Sequence, residues 1–319
     1  DNFLDHKIDF GGVPFNMTFD AETLQWDINW AQWEESMLYA VERGLNQFKI
    51  PSPRGYVSQF EQYGADYNES LVNYYSEVAS QLRLRGWIDR GYIYYIDEPN
   101  VEECREFEPF CELVHSVDSG LRILLTTAPR DEISFLYNDI DIWAPIEHDL
   151  DRHYDTLMQL RDLGKEVVYY PCLFPKTPYA NIQAYNEIID SKVLGWQVFY
   201  YDIDGFLYWH TSAYYYNMHG YGYNSWLDGW LIYPRDVEDG IYDSSIRWEA
   251  LRDGFEDIEY FYKLKQLNET RELFQEDITE LLGEMEGIMK DFRTFSQDPD
   301  DYLEYRERAA SLIERIESI

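Results

Sequence analysis

The feature that most constrains the fold is a repeated alternation of apolar strand segments and amphipathic helix segments along the chain. Short runs of β-branched and aromatic residues end at a proline, an aromatic or an acid, and helical segments lie between most of them. Strands that are joined in this way, without hairpin signals, are typical of a parallel sheet. Seven strands are predicted, at residues 6–10, 46–50, 91–96, 121–127, 140–144, 167–170 and 205–209.

Strands this apolar, covered by helices on their outer side, favour a (β/α)8 TIM-type barrel over an open sheet. The count is one strand short of closure, and we expect the missing first strand and its helix to lie upstream of residue 1. The segment from residue 246 to the end of the chain is strongly helical. We therefore predict an α/β barrel domain at residues 1–254 and a C-terminal helical extension at 255–319 that packs on it.

The C-terminal ends of the strands form the catalytic face of such barrels. Prolines, aromatics and acids stand at those ends, which predicts an acidic pocket lined by aromatic rings. His6 and His210 also lie at predicted strand ends, so they are placed for substrate contacts. The loop at 211–230 is rich in Tyr, Trp and Asn, and its length predicts a functional segment that overhangs the pocket.

Composition narrows the classes of partner. The chain has 61 acidic and 26 basic residues and a formal charge of −35, which repels nucleic acid and anionic membranes. No apolar run reaches the length of a transmembrane helix. Aromatics make up 18% of the chain, with 29 Tyr and 10 Trp, more than a core needs. Such rings stack on sugars and offer hydroxyls, so we expect a carbohydrate partner, no nucleic acid and no membrane span.

Three sequons, at Asn16, Asn68 and Asn268, permit glycosylation in a secreted protein. The sequence also does not begin with methionine, which fits the removal of a leader. We therefore expect an extracellular or cell-surface location.

The strand at 91–96 ends in two adjacent carboxylates, Asp97 and Glu98, followed by Pro99. Acids often cap the next helix, and this is the alternative to a functional role. However, Asn100 and Glu103 have the spacing of a capping box at the start of a helix over 101–117. The pair is therefore not needed for capping and is available for chemistry.

Two carboxylates among many aromatics point to glycoside hydrolysis. Retaining enzymes with a protein nucleophile place two carboxyl groups about 5 Å apart on opposite sides of the sugar, usually from different strands. Adjacent acids suit a substrate-assisted scheme instead. Glu98 protonates the glycosidic oxygen, while Asp97 orients a substrate acetamide that attacks its own anomeric carbon. The spacing therefore favours an N-acetylhexosamine substrate.

Other catalytic classes lack their motifs. The six His show no HExxH or similar pair, so we predict no metal site. A Gly-x-Ser-x-Gly elbow and a phosphate-binding glycine loop are also missing from the sequence, so we expect no cofactor.

Several segments together resemble glycoside hydrolase family 123 and the related domain-of-unknown-function family 4091. They are YYIDEP at 94–99, GFLYW at 205–209, the Asp-Gly and Tyr-Pro pairs within 228–234, and SIRWEALRDGFEDIEY at 245–260. The last segment is the most specific. The resemblance implies a (β/α)8 barrel with β-N-acetylgalactosaminidase chemistry and the Asp-Glu pair at the end of strand four.

The same resemblance implies that Glu98 is the acid/base and Asp97 the group that orients the acetamide. It also implies, by position, a set of pocket residues: Trp143, Tyr170, Trp209, Trp226 and Asp228. Packing in the core is the alternative for the Trp and Tyr residues. We interpret Arg247, together with Glu249, Arg252 and Asp253, as a structural charge network.

Three functions remain open from the sequence. The first is a retaining, substrate-assisted exo-hydrolase of terminal β-N-acetylgalactosaminides. The second is a glycosidase of the same fold that acts on another sugar. The third, from a different class, is a non-catalytic carbohydrate-binding or surface protein that kept the barrel.

Overall fold

The computed structural model describes residues 2–213, 228–236 and 241–318. The chain divides into two compact units. The first comprises residues 1–145 and 153–167, and the second comprises residues 146–152 and 168–319. Within the described residues, no helix is both long and apolar enough to cross a membrane.

The first unit contains most of a parallel sheet. A hairpin of β1 Met17–Asp20 and β2 Gln25–Ile28 comes first in the chain. The sheet then follows in the order β3 Phe48–Lys49, β4 Gly91–Tyr94, β5 Arg122–Leu125, β6 Ile142–Trp143 and the start of β7 Glu166–Tyr169. Its helices of ten or more residues are Trp30–Val41, Ala65–Arg85 and Val101–Val117, and shorter ones are Asn2–Asp5 and Arg54–Val57.

The second unit combines the end of the sheet with the C-terminal helices. Val168 and Tyr169 of β7 pair in parallel with β8 Gly205–Phe206. Two hairpins follow, β9 Ile232–Asp236 with β10 Ile241–Ser244 and β11 Met289–Asp291 with β12 Thr294–Phe295. Its helices are Ile188–Tyr200, Ile246–Thr270, Gln275–Gly283 and Pro299–Glu317.

One further helix, Glu147–Asp162, contains non-helical backbone angles at His153. The division into units falls at this residue, so the first turns of the helix belong to the second unit and the rest to the first. The predicted domain boundary at residue 254 stays a prediction, and helix Ile246–Thr270 runs through that position.

Six of the seven predicted strands are confirmed as neighbours in the parallel sheet, and the strand at 6–10 is wrong. The chain instead forms the short helix Asn2–Asp5, and the side chain of Asp9 accepts hydrogen bonds from the backbone N–H groups of Asn46 (2.9 Å) and Gln47 (2.8 Å). Residues 6–10 therefore contact the residues just before β3 through the side chain of Asp9 and form no strand.

The prediction of a closed eight-stranded barrel is also corrected by the structure. The described residues form an α/β fold with six parallel strands, and no pairing among them joins β8 back to β3. The three hairpins are a second difference, because the sequence carries no hairpin signal that we recognised.

Within the second unit, helices Ile188–Tyr200 and Ile246–Thr270 meet at two glycines. A Cβ atom on Gly195 would lie 2.6 Å from the carbonyl carbon of Gly254, and one on Gly254 would lie 2.3 Å from the carbonyl oxygen of Lys192. Backbone atoms cannot move aside as the end of a side chain can. Beside this contact the fully buried Asp257 accepts from Trp196 Nε1 at 2.9 Å and pairs with Lys192 Nζ at 2.6 Å.

We expect Gly254→Ala to lower the free energy of unfolding by about 1–3 kcal/mol, because the added methyl group forces these two backbones apart. Denaturant unfolding measures the change. Gly283→Ala is the matched control, since a Cβ there meets nothing within 4 Å. Helix propensity alone makes the control neutral or stabilising by up to about 1 kcal/mol. Equal destabilisation by both substitutions would contradict the account.

Candidate active site

The helix that follows β4 is capped as the sequence predicts. The side chain of Asn100 accepts hydrogen bonds from the backbone N–H groups of Glu102 (2.9 Å) and Glu103 (3.1 Å). The Glu103 carboxylate in turn accepts from the Asn100 N–H at 2.8 Å, which completes a capping box for helix Val101–Val117. Asp97 and Glu98 therefore take no part in capping this helix, and both side chains are exposed.

Asp97 is held from two sides. Its Oδ1 accepts a hydrogen bond from Tyr94 Oη at 2.5 Å and a second from Thr126 Oγ1 at 3.2 Å. Burial, followed by the hydrogen bond to Asp97, raises the pKa of Tyr94, so this phenol remains a donor. Thr126 lies just after β5, so neighbouring strand ends orient one exposed carboxylate.

Thr126 also ties Asp97 to its neighbour. The hydroxyl oxygen that donates to Asp97 accepts from the backbone N–H of Glu98 at 2.8 Å. One buried threonine thus fixes the side chain of the first acid and the backbone of the second.

Glu98 has a strained backbone. Its φ angle is +44°, in the left-handed region that a non-glycine residue enters at a cost of roughly 1–3 kcal/mol. Such strain persists where the surrounding structure enforces it, and it clusters at functional sites. The hydrogen bond to Thr126 provides that enforcement, and the turn presents the Glu98 carboxylate to solvent beside Asp97.

A second cluster, in the second unit, contains two of the residues predicted to contact substrate, Trp209 and Asp228. Asp228 is 1% exposed and accepts from Tyr208 Oη at 2.5 Å and from Trp209 Nε1 at 2.8 Å. Burial raises its pKa against the opposing effect of these donors. Trp209, by contrast, is 36% exposed. Asp228 therefore positions Trp209, and the tryptophan offers the accessible surface.

The close packing of this cluster depends on Gly229. Its φ is +72°, and a Cβ there would lie 2.8 Å from Ala213 Cβ and 3.1 Å from Trp209 Cζ2. The Gly229 N–H also donates to Tyr208 Oη at 2.9 Å. Glycine at this position therefore allows the turn to lie against the indole of Trp209.

The two predicted histidines have different surroundings. His210 Nδ1 accepts from the Ser212 N–H at 3.0 Å, and burial lowers its pKa. Since a backbone N–H can only donate, His210 is neutral and carries its proton on Nε2. His6 is buried, and its Nδ1 lies 2.6 Å from the carbonyl oxygen of Asn2, which makes Nδ1 the protonated nitrogen. His6 lies in the first unit and His210 in the second.

The remaining predicted pocket residues are less accessible. Trp143 is fully buried and packs edge-on against Tyr137, with ring centroids 5.6 Å apart. Tyr170 is 5% exposed, and its carbonyl oxygen accepts from the Glu147 N–H at 3.0 Å. Their roles as substrate contacts stay predictions. Trp226 and most of the 211–230 loop lie outside the described residues.

Arg247 has a role that the sequence does not indicate. Its buried guanidinium donates to the carbonyl oxygens of Ile182 (2.7 Å) and Trp230 (2.5 Å). It therefore joins two loop segments of the second unit.

Arg252 forms the predicted charge network, with Glu249 at 2.6 Å and Asp253 at 3.3 Å. The described residues contain no group of three or more His, Cys, Asp or Glu side chains that could hold a metal ion.

Comparison with known proteins supports the assignment of this fold. The chain is similar to a family 123 glycoside hydrolase from Clostridium perfringens, whose structure was solved to study glycolipid glycan hydrolysis, with a TM-score of 0.62 and 16% identity. The match covers 95% of this chain and 56% of that one, so this chain spans little more than half the length of its structural relative. No curated protein matches the chain.

The model of the glycoside hydrolase 123 catalytic domain matches residues 15–264. This range takes in the Asp97-Glu98 pair, the Tyr208 to Asp228 cluster and the start of helix Ile246–Thr270. It covers well over half of the chain. The chain therefore belongs to glycoside hydrolase family 123.

Proposed function

We propose that this protein is a glycoside hydrolase that removes terminal β-linked N-acetylgalactosamine from oligosaccharides or glycoconjugates, with retention of configuration. The observation that carries the proposal is the pair at the end of β4. Asp97 is anchored by Tyr94 and Thr126, and Glu98 is presented on a strained turn beside it. Family membership supports the reaction class. The glycolipid glycans on which the structural relative acts support a glycoconjugate substrate.

In the proposed first step, Glu98 transfers its proton to the glycosidic oxygen as the bond from that oxygen to C1 breaks. The carbonyl oxygen of the 2-acetamido group attacks C1 from the opposite face and forms an oxazolinium ring. Asp97 accepts a hydrogen bond from the acetamide N–H, and its negative charge stabilises the positive charge that develops on that group. The Tyr94 and Thr126 hydroxyls hold this carboxylate in place.

In the second step, the Glu98 carboxylate takes a proton from water as the water oxygen attacks C1 and opens the oxazolinium ring. Two inversions at C1 return the β configuration. Glu98 is protonated again and the acetamide is restored, so the cycle needs no external base.

The first test compares 4-nitrophenyl β-glycosides of N-acetylgalactosamine, N-acetylglucosamine and galactose. We expect the N-acetylgalactosaminide to have the highest kcat/KM and the plain galactoside to be inert. Cleavage of the galactoside alone would favour a glycosidase of this fold that acts on another sugar. Binding of glycans without any cleavage would favour a carbohydrate-binding or surface protein.

An extracellular or cell-surface location is part of the proposal, since glycoconjugates are abundant there.

Tyr94→Phe is expected to lower kcat/KM by roughly 10-fold to 100-fold, because a hydrogen bond to a charged group contributes about 1.5–3 kcal/mol. Steady-state kinetics on the N-acetylgalactosaminide measure the loss. Tyr92→Phe is the matched control, because Tyr92 lies two residues earlier on the same face of β4. Loss of activity in the control alone would contradict the proposed anchoring of Asp97.

A further inference from the structure

The β7 loop, residues 170–186, follows β7 and exposes large apolar side chains within the second unit. Leu173, Phe174 and Tyr185 are between 37% and 55% exposed. A single exposed apolar side chain is ordinary, but several that lie together mark a contact surface for a protein or a membrane. Three such residues in one short loop therefore indicate a contact surface.

The exposed rings of the β7 loop lie around one cation, Lys176. Its Nζ is 5.6 Å from the ring centroid of Phe174 and 5.1 Å from that of Tyr185, which are cation–π distances. The same Nζ donates to the Tyr185 hydroxyl and, at 3.3 Å, to Gln183 Oε1. Leu173 directly precedes Phe174 in the chain. The three apolar side chains and Lys176 therefore form one patch.

Hydrogen bonds inside the β7 loop hold this patch in place. The buried amides of Asn181 and Gln183 both donate to the carbonyl oxygen of Cys172, at 3.0 Å and 2.5 Å. Asn181 also donates to the carbonyl oxygen of Pro175, at the tip of the loop, at 2.9 Å. These polar side chains point inward while the apolar ones of the patch face solvent. Because the loop is already ordered, docking of its patch costs little conformational entropy.

The β7 loop carries no negative charge, although the chain as a whole is strongly acidic. Acids make up 61 of the 319 residues, yet none occurs from Val167 to Asn186, and Lys176 is the one charged residue in that stretch. The net charge of −35 repels anionic lipids but not a surface without net charge. The patch therefore matches a zwitterionic membrane, whose phosphates accept hydrogen bonds from lysine and whose hydrocarbon takes up apolar side chains.

A second copy of the chain is a poorer match for the patch. A stable interface between proteins buries about 800 Å² on each partner and takes roughly 20–30 residues a side. The patch has four residues on one loop. Reversible membrane binding needs less surface, because a few apolar and aromatic side chains at the level of the lipid headgroups are enough to anchor a protein.

The patch lies at the edge of the sheet that also carries Trp209. The β7 loop begins at the C-terminal end of β7, and Trp209 follows the C-terminal end of the neighbouring strand β8. Burial raises the pKa of Asp228, the acid that holds Trp209, and Lys176 is close enough to oppose this rise. We propose that the β7 loop docks the protein on a zwitterionic lipid membrane, with Leu173 and Phe174 inserted among the headgroups and Lys176 at the phosphates. The inference rests on the proposed function, since docking serves the cleavage of a glycan that is attached to a lipid of that membrane.

The first test measures co-sedimentation with phosphatidylcholine vesicles. We expect the wild type to bind, and the double variant Leu173→Ser with Phe174→Ser to need at least about tenfold more lipid for half-maximal binding, because less apolar area enters the membrane. Leu163→Ser with Leu273→Ser is the matched control, since it removes two apolar side chains that are each 79% exposed and lie outside the β7 loop. It should bind as the wild type does.

The second test compares cleavage of a soluble β-N-acetylgalactosaminyl disaccharide with cleavage of a glycolipid that ends in the same disaccharide, in phosphatidylcholine vesicles. The double variant should cleave the soluble substrate within about twofold of the wild-type rate and the glycolipid at least about tenfold more slowly. Equal losses on the two substrates would mean that the loop acts on the glycan and would overturn the inference.

Wild-type protein that does not bind the vesicles, or a double variant that binds them equally well, would also overturn the inference and leave the proposed function intact. If the double variant lost self-association in analytical ultracentrifugation but kept vesicle binding, the patch would belong to a second copy of the chain. Vesicle binding without cleavage of either substrate would reject the proposed function, while the docking surface would stand.

Discussion

Glu98→Gln is expected to lower kcat/KM for a β-N-acetylgalactosaminyl disaccharide by about 10²–10⁴-fold, the usual contribution of a general acid. Glutamine keeps the shape of the side chain but has no proton to give to the departing oxygen. The loss should be smaller for β-N-acetylgalactosaminyl azide, because azide leaves with little protonation. Steady-state kinetics on both substrates measure the two losses.

Glu102→Gln is the matched control, since Glu102 is an exposed glutamate four residues along, in the first turn of the next helix. It should retain wild-type kinetics. If Glu98→Gln cleaved the disaccharide at the wild-type rate, the assignment of the proton donor would be wrong. Equal losses on the two substrates would argue for a role of Glu98 other than proton donation.

Asp97→Asn is expected to lower kcat for the same disaccharide by roughly 10²–10³-fold, with a smaller change in KM. The amide that replaces the carboxylate keeps an acceptor for the acetamide N–H but loses the charge that stabilises the oxazolinium ion. Because that ion forms only after binding, the effect belongs mainly to kcat. Steady-state kinetics separate kcat from KM.

Asp131→Asn is the control for this substitution, because Asp131 is an exposed acid that follows the neighbouring strand β5 in the first unit. Its kinetics should match those of the wild type. A rise in KM with unchanged kcat in Asp97→Asn would mean that Asp97 only binds the substrate, and the substrate-assisted scheme would lose its main support.

Much of the fold could be predicted because the strands carry a strong local signal. Apolar runs that end at a proline, an aromatic or an acid locate β3 to β8, and the capping box at Asn100 identifies the first residue of a helix. The segment at 6–10 has a similar pattern, but the side chain of Asp9 accepts hydrogen bonds from the backbone N–H groups of Asn46 and Gln47, and the segment forms no strand. The sequence pattern alone cannot distinguish a strand from a segment that forms none. Barrel closure depends on long-range pairing, which a local pattern does not encode.

The candidate site could be predicted in part. Asp97 and Glu98 can be recognised in the sequence because they follow a strand directly and the next helix is capped by other residues. The threonine that holds Asp97 in place cannot be recognised in the sequence. Thr126 lies 29 residues from Asp97 and becomes its neighbour only through the pairing of β4 with β5. Trp143 shows the opposite problem. A strand buried on both faces gives no sign of which ring reaches a pocket, and Trp143 packs in the core.

The most direct test of the central claim is inhibition by the galacto-configured thiazoline, in which sulfur replaces the acetamide oxygen of the oxazoline. This stable ring mimics the intermediate that the substrate's own acetamide would form. A substrate-assisted enzyme should be inhibited competitively, with a Ki at least about 10²-fold below KM. Hydrolysis of the N-acetylgalactosaminide that continued unchanged at a thiazoline concentration equal to KM would contradict the account.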